Sequence, residues 1–310
     1  MIHFRTTPAP TRPFISPQPF AEPRSQEWQL VHAAADSVEG KLRQAYLTAV
    51  GDMTADLNIT NMSRAIWDRS LTAAINLVPM NILEEDLTDA SLDLLRDAMR
   101  QAGQGSIELL PGYVAGYNFD MLNPRAVDWL SVNSASLVTG VTDNTVEALR
   151  YILRRSFVDG IPPREAAVFI KKVVGLLPGH ATAVYNYRQE LVAQGLGPWR
   201  TEMLVDKYAD RLLAFRAEMI ARTETIRAAS MGQQEGWRQA VDDGLLDEKR
   251  VRREWIVTPD DRLSKHRCAP MRGQQRGLEE EFVTGLGNKV LTPPAGPNCR
   301  CAVGLVFLKD

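Results

Sequence analysis

Apolar side chains recur every three or four positions over much of this chain, which is the spacing of amphipathic helices. One apolar stripe begins at residue 28 and is formed by Trp28, Val31, Ala35, Val38, Leu42, Tyr46 and Val50. A second, Leu92, Leu95 and Met99, follows Thr88 as a candidate cap and precedes Gly103 as a candidate stop. The pattern predicts helices from about 26 to 130, and the segment 103–126, rich in Gly, Pro and Asn, predicts a long irregular connection there.

The helical pattern is strongest between residues 143 and 240. Asn144 and Glu147 resemble a capping box that opens a helix ending at Gly160. Pro162 and Pro163 then fit the first turn of a new helix, where a missing backbone donor costs nothing. The apolar spacing predicts one long helix from roughly 201 to 240.

After Gly244 the pattern changes to short β-branched or apolar runs bounded by turn residues. The segments "REWIVTPDDR" and "CAVGLVFL" are typical of strands, and Gly- and Pro-rich turns lie between them. The predicted fold is therefore mainly α, with a small α+β C-terminal module. We expect an extended arm at 1–25, a helical region at 26–140, a second helical region at 141–240 and the module at 241–310.

The arm contains six prolines interleaved with Phe14, Ile15 and Phe20. Proline removes backbone donors and favours extended chain, so this segment is not expected to have a core of its own. Two interpretations remain open, a disordered tail or an arm that docks its aromatic side chains on a partner.

Composition narrows the function classes. The 310 residues are 45% hydrophobic and 24% charged with a net charge of −2, so no overall positive field favours nucleic acid. The apolar runs are shorter than the roughly 18 residues that a membrane span needs. Three cysteines are too few for a disulfide framework and indicate a reducing compartment. We expect a protein that is soluble and intracellular when it is synthesised.

The three cysteines form a pattern with one of the four histidines. His266 and Cys268 are two residues apart, as are Cys299 and Cys301. In extended chain such pairs point to one face, so two pairs on neighbouring segments would present four donors to one point. This is the ligand set of a closed structural zinc site. Plain burial of the thiols, or a disulfide from Cys268 to either of the others, are the alternatives.

Catalytic and nucleic-acid interpretations have fewer residues in their favour. Glu224, Asp260, Asp261 and His266 could form an acid–base or metal-dependent cluster. The chain has no Gly-rich phosphate loop, nucleophile elbow or HExxH pair, so we do not expect an enzyme. The best local basic patch is formed by Lys249, Arg250, Arg252 and Arg253, and Glu248 and Glu254 dilute it.

The order of several motifs resembles a known family. "ARTETIRAASMGQQEGW" precedes "REWIVTPDDRLSKHRCAPMRG", and "PPAGPNCRC" lies near the end of the chain. This order is similar to the phage head morphogenesis family, the Mu F-like minor capsid proteins, over about residues 144–305. Many members have a CxxC pair where this chain has Lys265 and Cys268. The positions that match the family motif are Arg222, Thr223, Glu224, Trp255, Asp261, Cys268, Gly273, Pro293, Pro294, Asn298, Cys299, Arg300 and Cys301.

The resemblance implies a minor capsid protein of a tailed bacteriophage, located in the capsid interior or at the portal vertex. Such a protein would contact the portal, and also the major capsid or scaffolding protein, and would act in head assembly and in DNA packaging or ejection. Two other functions remain as alternatives. One is a metal-dependent hydrolase carried in the virion, acting on DNA or cell wall, and the other is a DNA-binding packaging factor.

Overall fold

The computed structural model describes residues 25–258 and 263–308. Those ranges contain eight α-helices followed by five short strands, which confirms the predicted fold class. The helices are α1 (Gln26–Asp56), α2 (Ile59–Trp67), α3 (Leu71–Asn76), α4 (Met80–Glu108), α5 (Pro124–Val158), α6 (Pro163–Val173), α7 (Pro178–Ala193) and α8 (Pro198–Asp242). The strands are β1 (Val251–Ile256), β2 (Gln275–Arg276), β3 (Phe282–Val283), β4 (Lys289–Val290) and β5 (Ala302–Phe307). Most of the predicted proline-rich arm lies outside the described residues.

Local sequence explains where many helices begin and end. The Ser25 hydroxyl accepts a hydrogen bond from the Trp28 N–H at 3.2 Å and so caps α1. The last four helices each start at a proline, whose fixed φ suits the first turn. Gly195 and Gly244 follow α7 and α8 with φ of 75° and 73°, the left-handed conformation that commonly terminates a helix.

Three predicted helix ends are wrong. Thr88 lies inside α4, where its hydroxyl donates to the Glu84 carbonyl, and α4 continues through Gly103 to Glu108. Asn144 lies inside α5 and its amide donates to the Gly140 carbonyl. In both helices the contacts with neighbouring helices outweigh local signals, because most helix stability in proteins comes from tertiary packing. The expected boundary at residue 140 also falls inside α5.

The helical body is organised around α8. Helices α1, α4 and α8 pack along one another, and α5 covers α4. The α4 and α8 backbones approach closely where glycine faces the neighbour, since a Cβ at Gly232 would lie 2.1 Å from the Met99 carbonyl oxygen. One apolar core fills this body.

The C-terminal module has its own apolar core, and the end of α8 belongs to it. Strands β2, β1 and β5 form one antiparallel sheet, in that order, while β3 and β4 form a hairpin. Trp237 from α8 joins Trp255 and Phe282 in this second core. The long helix predicted at 201–240 is thus confirmed as α8, and it connects both parts of the fold.

Candidate metal centre and the junction around it

Three buried thiols lie together in the C-terminal module. Cys268, Cys299 and Cys301 are 4%, 6% and 0% exposed, and their sulfur atoms all lie within 4.8 Å of one another. The sulfurs of Cys268 and Cys299 are 3.8 Å apart. All three cysteines are free. The sequence pattern therefore identified these three side chains as neighbours, although 31 residues separate Cys268 from Cys299.

Two different local conformations bring the thiols together. Cys299 and Cys301 lie in non-helical chain just before β5, and both thiols point into the cluster. Asn298 precedes them with φ of 58°, and the Cys299 N–H donates back to the Gly296 carbonyl at 3.1 Å. Cys268 ends a helical turn, in which its N–H donates to the Ser264 carbonyl at 3.0 Å.

This turn corrects the prediction that His266 is the fourth ligand. In a helical turn, residues two apart point about 200° away from each other, whereas extended chain would align them. His266 is accordingly exposed, and the group of candidate ligands contains only the three cysteines among the described residues. Asp260 and Asp261 lie outside the described part of the chain.

The pKa values of the three thiols are shifted in different directions. Hydrogen bonds from Cys268 and Cys301 stabilise the Cys299 thiolate and hold the pKa of Cys299 well below its usual range. The hydrogen bond with Cys299 and burial raise the pKa of Cys268, whereas hydrogen bonds with Cys268 and Cys299, together with burial, raise the pKa of Cys301. Because the three thiols interact this closely, they titrate as one group, and the thiolate that they stabilise would attract a soft cation.

The geometry of the cluster fits a thiolate-bound metal ion. Tetrahedral Zn–S bonds of about 2.3 Å place two sulfurs about 3.8 Å apart. That is the separation of Cys268 and Cys299. Three buried cysteines so close together could hold a metal ion.

The triplet Arg222, Thr223 and Glu224 lies next to this module on α8 and reaches three elements. Arg222 pairs with Glu39 of α1 at 3.0 Å. The Thr223 hydroxyl accepts from the Asn298 N–H at 3.1 Å.

Glu224, the third member, is buried against α5. It accepts hydrogen bonds from Asn133 of α5 and from Arg227. Burial raises its pKa, and Arg227 opposes that shift. Ion pairing and helix packing account for Glu224, which is not a member of the thiol group.

Helix α1 also contacts the thiol segment, and sequence analysis missed this. The Trp28 Nε1 and His32 Nε2 atoms both lie 3.1 Å from the carbonyl oxygen of Arg300, the residue between two of the thiols. Their spacing of four residues puts both rings on one helix face. Trp28 was identified as part of the apolar stripe, but no feature of the sequence indicated its partner.

The predicted nucleic-acid patch needs a correction at Arg253, which is 0% exposed. Its guanidinium donates to the carbonyls of Gly277, Leu291 and Glu280 and to the side chain of Gln234. It lies over the Phe282 ring, and burial lowers its pKa to about 10. These contacts leave Arg253 unavailable to a phosphate. Lys249 and Arg250 are exposed, and Arg252 is half-buried.

Two further motif residues, Trp255 and Gly273, hold the backbone next to β1 in place. Trp255 is buried and packs edge-on against Phe282 at 5.1 Å. Its carbonyl accepts from the Gly273 N–H at 3.1 Å, and Gly273 has φ of 68°, which favours glycine. Trp255 and Gly273 therefore fix the return of the chain to the sheet.

In the described residues, no helix combines the length and apolarity that a membrane crossing requires. Comparisons of the chain with protein-family models, curated proteins and solved structures found no match.

Proposed function

We propose that this chain is a non-enzymatic minor capsid protein of a tailed bacteriophage, bound to the portal or inner capsid and acting in head assembly and DNA packaging or ejection. The proposal starts from the order of motifs along the sequence. What supports it most is that these motifs, from residues 222–224, 268 and 298–301, lie at one junction between α8 and the C-terminal module. Each described motif residue there has a packing or hydrogen-bonding role.

We further propose that the thiols of Cys268, Cys299 and Cys301 hold a structural Zn²⁺. Zinc would supply crosslinking of two chain segments that lie 31 residues apart, and its binding energy would add to the stability of the module. A small module with a limited core gains most from such a crosslink. The three cysteines would serve as ligands, and the turn at Ser264 and the non-helical segment before β5 would orient them.

The test is association with heads. The full chain, co-expressed with the portal protein of the same phage, should co-purify with the portal, and it should be detected in purified virions by mass spectrometry. Its absence from purified virions would refute the proposed function. A Lys249→Ala/Arg250→Ala variant is the control. If the parent chain associates with heads and this variant does not, the contact with the head is mediated by DNA.

Two further measurements separate the alternatives. Turnover of DNA or peptidoglycan by the purified chain with added divalent metal, abolished by His266→Ala, would favour the hydrolase. DNA binding that falls steeply with salt, and that depends on Arg250 and Arg252, would favour the packaging factor. The proposed structural role predicts neither result. Elemental analysis of protein from a zinc-replete preparation should give about one zinc per chain, and much less than one would refute the zinc assignment.

A further inference from the structure

The Arg300 carbonyl, which lies between Cys299 and Cys301 in sequence, contacts two side chains of α1. These side chains are 272 and 268 residues away in sequence. The Arg300 oxygen lies 3.1 Å from Trp28 Nε1 and 3.1 Å from His32 Nε2. A carbonyl oxygen can only accept hydrogen bonds. The indole N–H of Trp28 is one donor, and a hydrogen bond from His32 requires the proton of its ring to be on Nε2. The two rings stack at 3.6 Å with an angle of 16° between their planes.

The packing of α1 holds the side chains of Trp28 and His32 in place independently of their contact with the Arg300 carbonyl. Trp28 and His32 are 7% and 8% exposed, and they lie in the first two turns of a helix capped by Ser25. Farther along the same helix, Val38 and Leu42 are in the core of the body, and Glu39 pairs with Arg222. Helix α1 therefore presents two aligned N–H groups at a rigid position.

We infer that Trp28 and His32 are positioning residues for the thiol site, holding the Arg300 peptide in the orientation that points Cys299 and Cys301 toward Cys268. Because this peptide lies between Cys299 and Cys301, a change in its orientation would move their sulfurs relative to each other. Cys268 is placed independently by its own turn. The inference rests on the proposed metal site. It adds that α1 contributes to the metal affinity of that site.

A linkage follows from this arrangement. If metal binding favours the orientation that α1 stabilises, then metal must stabilise the docking of α1 by the same free energy. Amide hydrogens in residues 28–35 should exchange more slowly when metal is present. Those of α7, which packs mainly on α5 and α8, should not change.

The experiment uses the full chain and Co²⁺ or Cd²⁺, with affinity measured by competition against a chromophoric chelator. His32→Phe keeps a ring for stacking and removes the donor, and Trp28→Phe does the same for the indole. Hydrogen-bonding partners around metal ligands typically change affinity about 10–100-fold, so we expect the double variant to lose that much. The Co²⁺–thiolate absorption should also shift. Trp199→Phe, at a side chain 78% exposed, is the matched control.

Unchanged affinity and an unchanged Co²⁺ spectrum in a folded double variant would overturn the inference. A parent chain that binds no metal would instead overturn the metal proposal, and the positioning role would then be decided by thiol labelling. With a chromogenic disulfide reagent, the double variant should react faster than the parent at Cys299 and Cys301. Equal rates would refute the positioning role even without metal. If the double variant does not fold, each single substitution is measured in its place.

Discussion

The N–H of Asn298 donates to the hydroxyl of Thr223 at 3.1 Å, so the middle residue of the α8 triplet holds the turn that leads into two of the thiols. Thr223 is 7% exposed, and Asn298 has a positive φ that orients this N–H. Two motifs that are 75 residues apart in sequence therefore meet in one hydrogen bond.

Thr223→Val keeps the shape of the side chain and removes the acceptor. We expect a loss of about 0.5–1.5 kcal/mol in the free energy of unfolding, which is the usual net contribution of one hydrogen bond, because this contact is partly buried. Thr223→Ser retains the hydroxyl and is the control. Urea unfolding followed by circular dichroism measures both, and equal stability of the Val and Ser variants would contradict this role.

Arg253→Met should strongly destabilise the module. The substitution leaves three carbonyls and Gln234 without this donor, and each buried acceptor that stays unsatisfied costs about 1–3 kcal/mol. Arg252→Met, at the half-buried neighbour, should change stability by less than about 0.5 kcal/mol. Thermal unfolding compares the two variants. Similar melting temperatures would mean that the buried network is not needed.

Gly232→Ala tests the close approach of α4 and α8. Alanine favours a helix over glycine by about 0.5–1 kcal/mol. The new Cβ would, however, lie 2.1 Å from the Met99 carbonyl oxygen, so the backbones must separate. We expect net destabilisation of about 1–3 kcal/mol, as for an overpacked core.

Gly40→Ala is the matched control for that substitution. Gly40 lies within α1 and has nothing within 4 Å of its Cβ position, so only the helix preference applies. This variant should be slightly more stable than the parent in the same denaturant titration. A stabilised Gly232→Ala protein would contradict the packing described for α4 and α8.

Cys301→Ser should loosen the C-terminal module while the helical body stays folded. Cys301 is 0% exposed in the module's own apolar core, which is separate from the core of the body. Hydrogen exchange should therefore rise in β1 and β5 and stay low in α4. A uniform rise in both parts would show that the chain unfolds as one unit.

The candidate site shows how far local sequence patterns extend. The rule that residues two apart share a face was correct for Cys299 and Cys301, which lie in non-helical chain, and wrong for His266 and Cys268, which lie in a turn. The same rule, applied to "VRREW", would have placed Arg253 on the buried face with Val251 and Trp255, as the structure does. The positive charge of Arg253 instead led to the prediction that its side chain lies in a surface patch.

Long-range partners could not be predicted. Thr88, Gly103 and Asn144 are typical helix-end residues that lie inside helices, because α4 and α5 are stabilised by the helices packed against them. The contact of Trp28 and His32 with Arg300 joins opposite ends of the chain, and one sequence contains no signal for such a pairing. Fold class and the three thiols were predictable, whereas the role of α1 was not.

Helix α8 fixes spacing as well as contacts. Thr223 faces Asn298, Gly232 faces α4, and Gln234 donates to the Leu278 carbonyl at 2.8 Å. One added residue between positions 224 and 231 would turn everything after it by about 100° and advance it by about 1.5 Å. The glycine would then leave α4 and the glutamine would leave the module, although no side chain had been replaced. In this stretch of the helix, the number of residues is itself a structural determinant.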